Sequence, residues 1–146
     1  MLVQIVREPD AKDLPLPTHA TSGSAGVDLF AAVSEPLTLA PGERASVSAG
    51  IRIAIPLGFE AQVRPRSGLA RHHGISMVNT PGTIDSDYRG VVHVLLINHG
   101  SESFVLNRGE RMAQMVITPV VSVDWDEQDV LTETQRGEGG FGHTGL

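Results

Sequence analysis

The stretch Val47-Ser48-Ala49-Gly50-Ile51-Arg52-Ile53-Ala54-Ile55 decides the fold. Its apolar residues Val47, Ala49, Ile51, Ile53 and Ile55 fall on every second position, with Ser48, Arg52 and Ala54 between them. Side chains alternate across a strand with a period of two, so this pattern predicts a β-strand with one buried face. Phe59, Ala61 and Val63 repeat the pattern against Glu60, Gln62 and Arg64. Val91 to Ile97 and Met112 to Val123 are more continuously apolar, which predicts strands covered on both sides. Pro41-Gly42, Pro56-Leu57-Gly58, Asn98-His99-Gly100 and Asn107-Arg108-Gly109 mark turns between the runs. Short strands at this spacing predict an all-β sandwich or barrel. The best helical signal is one or two turns beginning near Ser67, where Ser67 is placed to cap Gly68 to His72.

Composition agrees with this class. At 146 residues and 40% apolar the chain predicts one globular domain with its own core. No secretory or transmembrane stretch is visible, so the expected location is cytoplasmic. Glycine (16) and proline (9) make up about 17% of the residues against a usual ~12%, which favours turns over long helices. The net charge of −6 argues against nucleic acid or an anionic membrane as partner. All the basic residues but Lys12 are arginine, and arginine suits a few fixed forks for phosphate or carboxylate. The absence of cysteine excludes disulfides, thiolate nucleophiles and cysteine-held zinc. His19, His72, His73, His93, His99 and His143 show no HExxH spacing and read as loop or surface histidines before metal ligands. With its one lysine outside any glycine-rich loop, the chain also lacks a Walker-type phosphate site.

Four stretches carry more chemistry than a generic turn needs. Pro65-Arg66-Ser67-Gly68-Leu69-Ala70 offers a guanidinium, a hydroxyl and backbone N–H groups to an anion, or else simply a capped helix with a surface arginine. Asn79-Thr80-Pro81-Gly82-Thr83-Ile84-Asp85-Ser86-Asp87-Tyr88-Arg89-Gly90 predicts a β-hairpin or hairpin-like loop. The Asn79 amide both donates and accepts, which suits a pyrimidine edge, and Asp85 can orient and deprotonate water. The plainer alternative is a turn in which Asp and Asn cap their own backbone. Gly109-Glu110-Arg111-Met112-Ala113-Gln114-Met115-Val116 alone is a turn feeding a strand. Arg136 to Gly145 reads as a flexible glycine-rich tail, in which Arg136 and Phe141 could meet a phosphate and a base when the tail closes. Between these, Asp124, Asp126, Glu127, Asp129 and Glu133 read as a solvated connector.

In this order, and with Ser24-Ala25-Gly26-Val27-Asp28-Leu29 upstream, these stretches resemble the five signature motifs of the trimeric dUTPases, in a bacterial style. The resemblance runs from about Leu14 to Gly145. It implies an all-β, jelly-roll-like subunit with at most one short helix, a β domain over residues 1–135 and a tail over 136–146. It implies homotrimers with three active sites at subunit boundaries, and hydrolysis of dUTP to dUMP and pyrophosphate. That activity limits uracil incorporation into DNA and supplies dUMP for thymidylate synthesis. Mg²⁺ is then held mainly by the substrate phosphates. Asp85 matches the aspartate that positions water in line with the α-phosphorus. Asn79, with the backbone of Thr83, Ile84 and Asp85, matches the uracil-reading segment, and Tyr88 matches the tyrosine that leaves no room for a 2′-hydroxyl. Arg66, Ser67 and Gly68 match the phosphate-binding second motif, and Gln114 the fourth. Asp28 matches the aspartate that reaches the metal's water shell. His93 matches a position that lines the pocket through its backbone in the family, so the resemblance implies that its imidazole need not act. Arg136 and Phe141 match the tail that clamps the γ-phosphate and stacks on uracil in a neighbouring subunit's site. The rival within the fold is a dCTP deaminase-type cousin with zinc-free chemistry, and the rival outside catalysis is a jelly-roll binding module.

Overall fold

In the computed structural model, which describes residues 1–140, the chain lays down short strands in an order set by its turn signals. These are β1 (Gln4–Arg7), β2 (Val27–Phe30), β3 (Leu37–Leu39), β4 (Arg44–Ser48), β5 (Ile51–Ala54), β6 (Phe59–Pro65), β7 (Ile75–Met77), β8 (Gly82–Ile84), β9 (His93–Asn98), β10 (Phe104–Leu106) and β11 (Arg111–Pro119). One helix, α1 (Ser67–His73), follows β6. The strands form a sheet in the order β2-β11-β6-β8, a second in the order β4-β9-β7, and two pairs, β1-β5 and β3-β10. Every pairing is antiparallel, and the architecture is the expected all-β, jelly-roll-like one. Leu29, Leu39, Ile75, Val94, Leu96, Leu106 and Met112 fill the core between the sheets.

The run Val47–Ile55 keeps its period of two, yet it is two strands rather than one. Val47, Ala49, Ile51, Ile53 and Ile55 are all buried, while β4 pairs with β9 and β5 pairs with β1. The break falls at Gly50, whose φ of 65° lies in the left-handed region. A Cβ there would run into Ala11 and stand 3.0 Å from the Ala32 Cβ, so only glycine can turn this corner.

Other expectations also change. The run Val91–Ile97 buries Val92, Val94 and Leu96 on one face, but His93 and Leu95 on the other are exposed, so it is not covered on both sides within the chain. β11 ends at Pro119, short of Val123, and the Val120 N–H closes the ladder on the Gly58 carbonyl at 2.9 Å. Residues 120–140 add neither strand nor helix, and Val121, Trp125, Val130 and Leu131 stand exposed along them. Ser67 is the first residue of α1 rather than its cap: the cap position is Arg66, and no side chain closes it. Asn79 to Gly90 is not a two-stranded hairpin either. β7 joins β9 while β8 joins β6, so the chain changes sheets there, through a cis Thr80–Pro81 bond.

Candidate active site

That change of sheets opens a pocket. Its volume is about 220 Å³, and Asn79, Thr83, Ile84, Asp85, Tyr88, Val91, Val92, His93 and Leu95 line it. Asn79 comes from the β7–β8 connection, Thr83 and Ile84 from β8, Asp85 and Tyr88 from the following loop, and His93 from β9. β8 is the edge of its sheet, so one side of its backbone has no strand partner and lies open to a ligand with a matching row of donors and acceptors. The Asp85 carboxylate accepts no side-chain hydrogen bond from the described residues and is exposed, which leaves it free to hold water. Tyr88 closes a turn through its N–H to the Asp85 carbonyl at 3.2 Å and donates its hydroxyl to the Val91 carbonyl at 3.1 Å. His93 Nδ1 lies 3.0 Å from that same carbonyl. A carbonyl only accepts, so in this contact Nδ1 carries the proton. Arg89 ties the loop down by donating to the carbonyls of Ser86 (2.7 Å) and Tyr88 (2.8 Å).

A second cluster forms around Asp28, which is buried on β2. One oxygen accepts from Arg66 Nε (3.1 Å) and Gln114 Nε2 (3.3 Å), the other from Arg111 Nη1 (3.3 Å). Two guanidinium groups and one carboxylate make a net positive, pre-organised donor set suited to phosphate oxygens. Sequence reasoning selected Asp28, Arg66 and Gln114 but passed over Arg111. In a regular strand, positions three apart face opposite sides, so Arg111 should point away from Gln114. An irregularity in register between Arg111 and Ala113 turns both toward Asp28. The sequence shows only two adjacent apolar residues, Met112 and Ala113, which a run expected to be covered on both sides does not distinguish from a bulge; in the fold both are buried.

The predicted residues thus gather into two groups within one chain: Asn79, Thr83, Ile84, Asp85, Tyr88 and His93 in the pocket, and Asp28, Arg66 and Gln114 around the carboxylate. Ser67 and Gly68 are exposed at the start of α1, next to Arg66. Arg136 joins neither group and donates to the carbonyl of Gly139 at 2.7 Å. Phe141 lies outside the described residues. Among the described residues no set of three or more histidine and acidic side chains could cage a metal. Asp28 is the one carboxylate in the second cluster, and both its oxygens already accept from Arg66, Gln114 and Arg111, so it fits contact with a divalent ion through the ion's waters rather than directly.

The sequence profile of the dUTPase family matches residues 12–145. The chain belongs to the dUTPase family. It is an enzyme of that class and is 60% identical over 134 residues to the deoxyuridine 5′-triphosphate nucleotidohydrolase of Maricaulis maris, covering 90% of this chain and 88% of that one. It is 54% identical to the corresponding protein of Anaplasma marginale, covering 98% and 97%. Among solved dUTPase structures, that of Staphylococcus bacteriophage 80alpha with dUPNHPP superposes with a TM-score of 0.88 over 99% of both chains at 24% identity. A dUTPase of phage phi11 of S. aureus, described with a structural Mg(II) ion, superposes with a TM-score of 0.80 over 91% of this chain and 100% of that one, at 19% identity. At such identities these two likenesses speak for the dUTPase fold alone.

Proposed function

We propose that the enzyme hydrolyses dUTP to dUMP and pyrophosphate by in-line attack of an Asp85-held water on the α-phosphorus. The observation that carries this reading is the pocket in which an amide (Asn79), an open strand edge (β8), a phenol (Tyr88) and an unpartnered carboxylate (Asp85) meet. The uracil imide presents acceptor, donor and acceptor in a row, which the β8 edge and the Asn79 amide can pair. Tyr88 has spent its hydroxyl on Val91, so it meets the sugar with its ring and excludes a 2′-hydroxyl by bulk. Asp85 accepts a hydrogen bond from the water and takes its proton as the new oxygen–phosphorus bond forms. The bond from the α-phosphorus to the bridging oxygen breaks, and pyrophosphate leaves. Arg66, Ser67, Gly68 and Gln114 bind phosphate, and Arg111 and Asp28 hold Arg66 in place. Mg²⁺, bound mainly by the phosphates, supplies charge neutralisation, the main demand of phosphoryl transfer besides alignment.

Pocket and Asp28 cluster are read as halves contributed by different copies of the chain, in a homotrimer with three sites. The tail over 136–146 then closes on a neighbour's site, with Arg136 at the γ-phosphate and Phe141 on the base. Two features support association: the exposed apolar residues along residues 120–140, and an apolar groove of about 600 Å³ lined by Val3, Ile5, Leu16, Val27, Met115 and Ile117 among others. The cellular role that fits is removal of dUTP and supply of dUMP in the cytoplasm.

Incubation with dUTP, dTTP and dCTP in ¹⁸O-water tests the reading. Pyrophosphate from dUTP alone, with the label in dUMP, is the expected result. Label in pyrophosphate, or ammonia from dCTP, contradicts it.

A further inference from the structure

Gly90 poses a question that its backbone does not answer. It is not among the glycines with positive φ, so its conformation is open to any residue. What forbids a side chain is the Tyr88 ring: a Cβ on Gly90 would stand 2.5 Å from Cζ, 2.9 Å from Cε2 and closer still to Oη. No other heavy atom is as near, so the glycine is shaped to one side chain. The ring is also fixed at its tip, because Oη donates to the Val91 carbonyl at 3.1 Å and shares it with His93 Nδ1 at 3.0 Å. A carbonyl has two lone pairs, so it serves both donors at once.

We propose that Gly90 is a positioning residue: its missing side chain, with the Val91 carbonyl, seats the Tyr88 phenol at the sugar position and so sets the preference for deoxyribose over ribose. This rests on the reading of Tyr88 as the wall beside the sugar. Tyr88 is 45% exposed, so the ring, rather than buried backbone, yields when a methyl group is added. The loop does not depend on the ring, because Arg89 holds it through Ser86 and Tyr88 carbonyls and Tyr88 N–H holds it through Asp85. Displacing the phenol therefore moves the wall and leaves the loop folded.

The test compares kcat/KM for dUTP and for UTP in the full-length enzyme and in Tyr88→Ala, Gly90→Ala, the double variant and Tyr88→Phe, with thermal melting of each. The expected result is at least a tenfold fall in the dUTP-to-UTP ratio in Gly90→Ala, with cooperative melting kept, and no further fall when the change is added to Tyr88→Ala. Tyr88→Phe, which frees the ring from Val91, shifts the ratio the same way by a smaller factor, and an unchanged ratio there overturns the Val91 carbonyl's part in the proposal whether or not Gly90→Ala folds. An unchanged ratio in Gly90→Ala with a lowered ratio in Tyr88→Ala overturns the role of Gly90 alone. An unchanged ratio in Tyr88→Ala overturns the reading of the wall and the proposal together.

Discussion

Asp28 accepts three donors on two oxygens, and this arrangement determines what its neighbours do when altered. Arg111→Ala removes the partner of one oxygen while Arg66 and Gln114 keep the other. The fold should survive, since Arg111 is half exposed. Hydrogen bonds to charged groups contribute roughly 1.5–3 kcal/mol, so a loosened Arg66 should lower kcat/KM for dUTP by about tenfold or more, measured in steady state. Asn98 plays the corresponding part in the core. Fully buried, it donates to the carbonyls of Leu39 and Glu102 at 2.8 Å and accepts from Gly100 N–H at 2.8 Å. Asn98→Ala leaves those groups unpaired, and a loss of about 2–4 kcal/mol in urea unfolding is expected. The sequence placed Asn98 in a turn, because an asparagine before His-Gly fits a turn whether its amide faces water or core. Asn79, Asp85 and Tyr88, which line one pocket, were marked out by chemistry dense over twelve residues, but that density fits a self-capping turn equally well, and only the order of the family's motifs separates the two readings. Gly90 was not, because space for a ring is a property of three dimensions.

Among the elements, the buried face of the longer apolar runs was readable, and the number and partnership of the strands were not. The period of two in Val47–Ile55 says which side chains are buried, and it says so equally for one strand or for two in different sheets. The left-handed φ and the collision of a Cβ with Ala11, both properties of the folded chain, mark Gly50 as a corner. The connections between elements are tied by exposed ion pairs. Arg108 pairs with Asp13 at 2.8 Å and donates to the Val33 carbonyl at 3.0 Å, joining the turn before β11 to the N-terminal segment. Arg52 on β5 pairs with Glu8 at 2.7 Å. Hydrogen bonds from Arg108 and Arg52 hold the carboxyls of Asp13 and Glu8 below their ordinary values of 3.8 and 4.5. A carboxyl lowered in the folded state adds stability above its unfolded value and loses it as pH falls through the folded one. The melting temperature should therefore drop as pH falls below about 4, and Arg108→Ala should make that drop shallower, as melts from neutral pH to about pH 3 will report.

For the whole molecule, the pocket and the Asp28 cluster share no residue, and the segment over residues 120–140 carries exposed apolar side chains. A segment with Trp125 92% exposed and Val121 and Leu131 alongside it is poorly suited to isolation in water. Deleting residues 136–146 should leave an assembled protein, seen by sedimentation, with severely reduced turnover. Full activity after truncation would remove the tail from the account. Asp85→Asn should still bind a non-hydrolysable dUTP analogue while losing at least ~10²-fold in kcat, the usual scale for a positioned base. The most direct test of the central claim, hydrolysis by Asp85 of one copy on a substrate held by Arg66 of another, joins two inactive variants. Asp85→Asn and Arg66→Ala, each nearly inactive alone, are unfolded together, refolded as a mixture and assayed with dUTP. Random assembly places an intact Asp85 and an intact Arg66 in about one site in four. The account predicts recovery of about that fraction of normal activity, whereas a mixture as inactive as its parents would contradict it.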